Sequence, residues 1–240
     1  MVVVCLVWLL GSFNVSQAAQ AIPAQKYVVN GFMLNEMIQD RYFEAPNGMT
    51  QLQIQNFLDQ RNSILAKPIP LFRLTPSNIP VNTGKTIVPS QLIYKAQREY
   101  AVHAAILLTM LQKEQGLLHL KPGAIGPTSR TILFAMGYGA LDSGDLLNVS
   151  GFDVQISNAA RRLHELFITA PNVFPFRMTI NAGKTLTVKN MVFQPVIDIA
   201  NGATYVLFRY TPWAFDGSYL PNLCGGNLLF MQVMKREFSI

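Results

Sequence analysis

Glu114 is the residue of this chain best placed to move a proton. It ends the stretch Tyr100-Ala-Val-His-Ala-Ala-Ile-Leu-Leu-Thr-Met-Leu-Gln-Lys-Glu-Gln-Gly116, an apolar run that closes on a carboxylate and then a glycine. At about 3.6 residues per turn, Leu107, Met110, Leu111 and Glu114 share one face and Lys113 points elsewhere. A carboxylate in a core-facing stripe loses hydration, and here it also lies at the negative end of the helix dipole. Both effects favour the protonated form, which a general acid needs at neutral pH. The competing expectation is ordinary: a glutamate in a last turn curls out to water or pairs with a neighbour such as Lys113.

The elements that must hold this carboxylate follow from period and punctuation. Residues 22–50 read as an irregular strap with a turn at Asn47-Gly48. Thr50 caps a helix in which Leu52, Ile54, Phe57 and Leu58 follow a helical pattern. Five prolines within 66–89 mark a long surface loop, and Ser90 suits the cap of a helix to Tyr100. Ala101-Val102-His103 then makes a brief turn before a helix over 104–115. The Gly-rich stretch 116–150 contains one short helix, from about Ser129 to Met136. From Phe152 to Phe167 the pattern is amphipathic, with Ile156, Ala159, Ala160, Leu163 and Phe167 facing in. The period then changes. Phe176–Ile180 and Lys184–Val188 alternate about Asn181-Ala-Gly183, as in a β-hairpin, and 191–198 adds a further strand. Ile199–Tyr210 and Asn227–Phe238 return to helix. The fold class is mainly α with a small β-hairpin insertion near 174–198.

Composition narrows the functions. Half of the 240 residues are hydrophobic and only 13% are charged, so a sizeable core is expected. The net charge of +6 is dispersed, with no long Lys or Arg run, which argues against a dedicated nucleic-acid stripe. A diffuse positive field suits any anionic polymer, teichoic acid and peptidoglycan carboxylates as well as nucleic acid, and equally describes a plain soluble basic surface. Residues 1–21 carry no charge and combine an apolar run, Val2–Leu10, with Ser16-Gln-Ala-Ala-Gln-Ala21, as a secretory signal peptide does. A basic start is missing from it. The run is too short for a membrane span of about 20 residues, so export is expected rather than anchoring. Cys5 lies in that segment and Cys224 would be alone in the exported chain, which leaves neither a disulfide nor a cysteine-zinc cluster. His103, His119 and His164 lack metal-ligand spacing, so neither metal nor cofactor is expected.

Leu111-Gln-Lys-Glu-Gln-Gly116, the small-residue loop Gly123-Ala-Ile-Gly126 and the helix segment Asn158-Ala-Ala-Arg-Arg-Leu163 together resemble the lysozyme-like superfamily in its lytic transglycosylase style. A closer resemblance is to a group of secreted bacterial proteins of mostly unassigned activity. It is carried by Met49–Leu58, Leu107–Leu117, Ala135–Asp142, Ala203–Pro212 and Gly226–Phe230, in that order. Two departures stand out. Members of the closer group often carry cysteines near the equivalents of Ala140 and Cys224. Pro127-Thr128 stands where many transglycosylases have a glutamine.

The resemblance implies a lysozyme-like domain over 90–240, preceded by a strap with one helix over 22–89 and by the signal at 1–21. It implies a secreted protein that cleaves the β-1,4 glycan strand of peptidoglycan, with Glu114 as general acid and then base. Where a second carboxylate serves, Asp142 is the first candidate and Asp145 the second, although Leu-Asp-Ser-Gly is also ordinary turn chemistry. Tyr138, Tyr205, Tyr210 and Trp213 could stack on sugar faces, or equally form a core aromatic patch. Two other readings compete. One is a non-catalytic module that binds the cell wall or another glycan polymer. The other is a structural part of an extracellular or phage-tail assembly.

Overall fold

The computed structural model describes residues 28–29, 31–44, 48–141, 143–181, 183–184, 192–215 and 225–239. Its helices are α1 (Asp40–Phe43), α2 (Gln51–Gln60), α3 (Pro89–Tyr100), α4 (Ala104–Gln115), α5 (Arg130–Leu133), α6 (Phe152–Ile168), α7 (Gly202–Tyr210) and α8 (Gly226–Phe238). The strands are β1 (Val28–Val29), β2 (Phe32–Met33), β3 (Ile69–Leu74), β4 (Pro80–Ile87), β5 (Phe176–Thr179), β6 (Gly183–Lys184), β7 (Val192–Phe193) and β8 (Val196–Ile199). The architecture is therefore mainly helical, with short two-stranded antiparallel pairings. No helix among the described residues is long and apolar enough to cross a membrane.

Helix α4 is the axis of the core. Every residue from Ala104 to Leu111 is buried, so water touches no face of its first two turns. Helix α8 packs along it, with Met234 Sδ accepting a hydrogen bond from the buried Thr109 hydroxyl at 2.9 Å. Helix α3 packs against α2 and α6, and α6 packs against α7. The start of α4 is set by local chemistry. Ala101 takes a left-handed φ of 52°, and His103 Nδ1 accepts from the Ala105 N–H at 3.1 Å. That acceptor role needs a neutral imidazole face, and burial holds His103 below its usual value. The buried Gln97 amide bridges the α3–α4 junction to Met49, accepting from the Met49 and Ala104 N–H groups and donating to the Met49 carbonyl. Thr50 caps α2 in a reciprocal capping box with Gln53.

Ser90 lies inside α3, whose N-cap is Val88, and Ile199 ends β8 while α7 starts at Gly202. Three further expectations change. The Pro-rich stretch 66–89 is not a loop but the antiparallel β3–β4 ribbon, turning at Thr75–Asn78. Both of its strands are edges, so proline costs the ladder little there. Only Ile69 and Leu71 are buried in it while β4 is exposed almost throughout, which erased the alternation in the sequence. Second, β5 pairs with β8, Phe176 opposite Ile199, and β6 pairs with β7, so Asn181-Ala-Gly183 is not the tip of a hairpin. The partner of Phe176–Thr179 comes from 196–199, and the expected arm beyond Lys184 lies outside the described residues. Third, Leu52 is exposed, and only Ile54 and Leu58 of its set are fully buried. The helices over 104–115 and 152–167 lie where the sequence placed them, within a residue.

Candidate functional site

Helix α4 stops where its sequence says it must. Gly116 has φ 68°, and its N–H donates to the carbonyls of Leu111 and Gln112. Gln112 Oε1 then accepts from the Leu118 N–H at 2.9 Å, and Gln115 Nε2 donates to the Phe134 carbonyl at 3.2 Å. The last turn of α4 is thereby fastened both to the chain that follows it and to the exit of α5.

The loop beyond α5, Met136-Gly-Tyr-Gly139, is held by one buried amide. Gln155 Oε1 accepts from the N–H groups of Met136 and Tyr138 at 3.2 and 3.1 Å. Its Nε2 donates to the carbonyls of Tyr138 and Val149, each at 2.8 Å. All four hydrogen-bonding positions of the side chain are used. The loop so fixed lays Gly137 on Glu114. A Cβ at Gly137, where φ is 67°, would stand 2.8 Å from Glu114 Oε2 and 3.0 Å from its Cδ.

Glu114 is only partly enclosed, with its side chain 25% exposed, whereas Lys113 is 6% exposed. The helical projection is corrected here. With the first two turns of α4 buried on every side, the apolar stripe could not tell which side of the last turn faces inward. Lys113 Nζ lies 2.6 Å from Glu114 Oε1 and donates to Thr211 Oγ1 at 2.9 Å. The carboxylate therefore has a buried counter-ion, as the ordinary expectation had it.

Thr211 follows α7, and its carbonyl accepts from the buried Asn227 Nδ2 at 2.8 Å. Asn227 opens α8, whose N-terminus is pressed on the backbone of 213–214. A Cβ on Gly226 would lie 2.5 Å from the Trp213 carbonyl oxygen, so only glycine fits. Tyr210 is half-buried and donates from its hydroxyl to the Met136 carbonyl at 3.3 Å. Its phenol is held above its usual value, first by burial and then by the charges of Glu114 and Tyr138, so it remains a donor at any working pH.

Glu114, Tyr138 and Tyr210 are thus brought together. Trp213 is half-buried nearby in sequence, its backbone bridging Asn181 and accepting from the Asn227 N–H. Tyr205 packs edge-on against Phe176 at 5.6 Å, under β5. Asp145 makes two 2.7 Å bonds to Arg130, and that guanidinium holds its carboxyl below the usual range. Asp142 and Cys224 lie outside the described residues, as do residues 1–27. The Gly123–Gly126 loop lines a separate shallow groove of about 190 Å³ with Ile64, Pro68, Ile69 and Ile132, and Glu114 is not among its lining residues. Among the described residues no three His, Cys, Asp or Glu side chains gather as metal ligands.

Sequence reasoning missed Thr211 and Gln155, and named Lys113 only as the partner in the ordinary expectation for Glu114. Lys113 and Thr211 do stand inside motifs that the sequence singled out. Gln155 gave no signal beyond being a polar residue inside an amphipathic helix. No family model matches this chain, and neither does any curated protein or solved structure.

Proposed function

We propose that this chain is a secreted, lysozyme-like, peptidoglycan-active glycosidase of the lytic transglycosylase kind, with Glu114 as its single general acid and base. The observation that carries this reading is convergence. Glu114 of the α4 terminus meets Gly137 of the Gly-rich loop, lies close enough to Tyr210 at the end of α7 for its charge to act on that phenol, and is tied through Lys113 to Thr211, which Asn227 of α8 holds in turn. Core packing alone does not require a carboxylate there.

The chemistry would run as follows. A protonated Glu114 gives its proton to the glycosidic oxygen as the C–O bond breaks. The ionised carboxylate then takes the proton of the C6 hydroxyl as that oxygen closes on C1, or takes a proton from water in a hydrolase. Tyr138, half-buried in the Gly-rich loop, offers a ring face to a sugar, while the Tyr210 hydroxyl is spent on the Met136 carbonyl. Asp145 is engaged with Arg130, which favours a route needing one carboxylate.

A second reading has its own observation. The 2.6 Å contact with Lys113 balances the Glu114 charge in the resting protein, as suits a glycan-binding module without turnover. Purified sacculi separate the two. Soluble muropeptides released by wild type and not by Glu114→Gln support the enzyme. Co-sedimentation of both proteins with sacculi and no release supports the binding module.

A further inference from the structure

We infer that Lys113 is a positioning residue of the Glu114 site: its ammonium grips one carboxylate oxygen, Oε1, and leaves Oε2, beside Gly137, as the oxygen that exchanges protons. The inference rests on the reading of Glu114 as acid and base.

Lys113 is not an ordinary surface lysine. Its side chain is 6% exposed, less than that of the glutamate it touches. Burying an ammonium is unfavourable unless the site compensates it. Compensation here comes from Glu114 Oε1 at 2.6 Å and Thr211 Oγ1 at 2.9 Å. Thr211 is itself fixed: its N–H donates to the Leu207 carbonyl at 2.9 Å and its own carbonyl accepts from Asn227. The ammonium is thus tied to the α7 exit as well as to α4. A glutamate side chain on a last helical turn has free torsions, and proton transfer needs one oxygen held within hydrogen-bond reach of its target. The grip on Oε1 supplies that. On the other side Gly137 lacks a Cβ where one would meet Oε2 at 2.8 Å. The two oxygens are therefore inequivalent, one occupied by a buried cation and one facing a backbone from which side-chain atoms are absent.

The test uses the full chain labelled with ¹⁵N-lysine. An ammonium held in this way exchanges slowly, and its signal should persist at neutral pH, disappear in Lys113→Met and move in Glu114→Gln and in Thr211→Val. Lys113→Arg keeps charge and donors, and Lys113→Met keeps length without charge. On sacculi, Lys113→Met is expected to lose about 10²-fold in turnover, the order that misplacing a reacting group by about 1 Å costs. Lys113→Arg should recover part of the rate. Thermal unfolding of each variant checks that it is folded. An ammonium signal indifferent to Glu114→Gln, or wild-type turnover in a folded Lys113→Met, overturns the inference. A protected ammonium in a wild type that releases nothing from sacculi upholds the grip and overturns the enzymatic reading instead.

Discussion

Replacing Gly137 by alanine tests the contact on which the site is built. The residue has φ 67°, a left-handed conformation that costs a non-glycine roughly 1–2 kcal/mol. Its new Cβ would meet Glu114 Oε2 at 2.8 Å and Cδ at 3.0 Å. A carboxylate end swings aside cheaply when it is free, but this one is bonded to Lys113 at 2.6 Å. Moving it gives up a hydrogen bond between charged groups, worth about 1.5–3 kcal/mol. The total is about 2.5–5 kcal/mol. At roughly 2–4 °C per kcal/mol for a chain of this size, the melting temperature falls by about 5–20 °C. Gly116 supplies the control, since its φ of 68° is nearly the same and a Cβ there meets nothing within 4 Å. Gly116→Ala should show the backbone cost alone. Calorimetry or far-ultraviolet circular dichroism on both variants, each in wild-type and Glu114→Ala backgrounds, isolates the contact as a coupling energy. The excess cost of Gly137→Ala should disappear when Glu114 is alanine. Equal costs for the two glycines, unchanged in that background, would refute the placement of Glu114 against this loop.

Other outcomes follow from the same contacts. Gln155→Leu strands the Met136 and Tyr138 N–H groups and the Tyr138 and Val149 carbonyls. At about 1–3 kcal/mol for each buried group, thermal unfolding should show a loss of about 4 kcal/mol or more. Glu237 is 3% exposed; burial alone would raise its carboxyl, but bonds from His119, Arg236 and Arg61 outweigh this and bring it from 4.5 to about 2. A depressed folded value stabilises above the unfolded one and is lost as pH falls, so about 1–3 kcal/mol should disappear between roughly pH 5 and pH 2. Melting temperatures across that range should therefore fall less for Glu237→Gln than for wild type. Asp145→Asn breaks a pair whose Arg130 is 60% exposed, so it should cost about 1 kcal/mol or less and leave sacculus turnover within about twofold. A large loss of turnover there would show that a second carboxylate is at work.

What the sequence disclosed, and what it hid, has physical reasons. Helices over 104–115 and 152–167 could be read because both carry long apolar patterns and the first closes on Gly116. The β3–β4 ribbon was hidden because a half-exposed ribbon with prolines on its free edges carries no period-2 signal. The pairing of Phe176–Thr179 with 196–199 was hidden because the nearest turn residues, Asn181-Ala-Gly183, suggested a shorter loop. Glu114 stands out in the sequence by residue type and by its position before a helix-ending glycine. Its partner Lys113 was assigned to the wrong side because the helical wheel has no contrast in a helix buried all round. The approach of Thr211 and Gly137 is a tertiary fact that no local pattern encodes.

The central claim, that Glu114 moves the proton, is tested most directly by product analysis on purified sacculi. Wild type and Glu114→Gln, matched in melting temperature, would be compared by mass spectrometry of the released muropeptides. The account expects anhydro-muramic ends from wild type and a rate at least about 10²-fold lower from Glu114→Gln, the low end of what a general acid contributes. Equal release by the two proteins, or none by either, would contradict it.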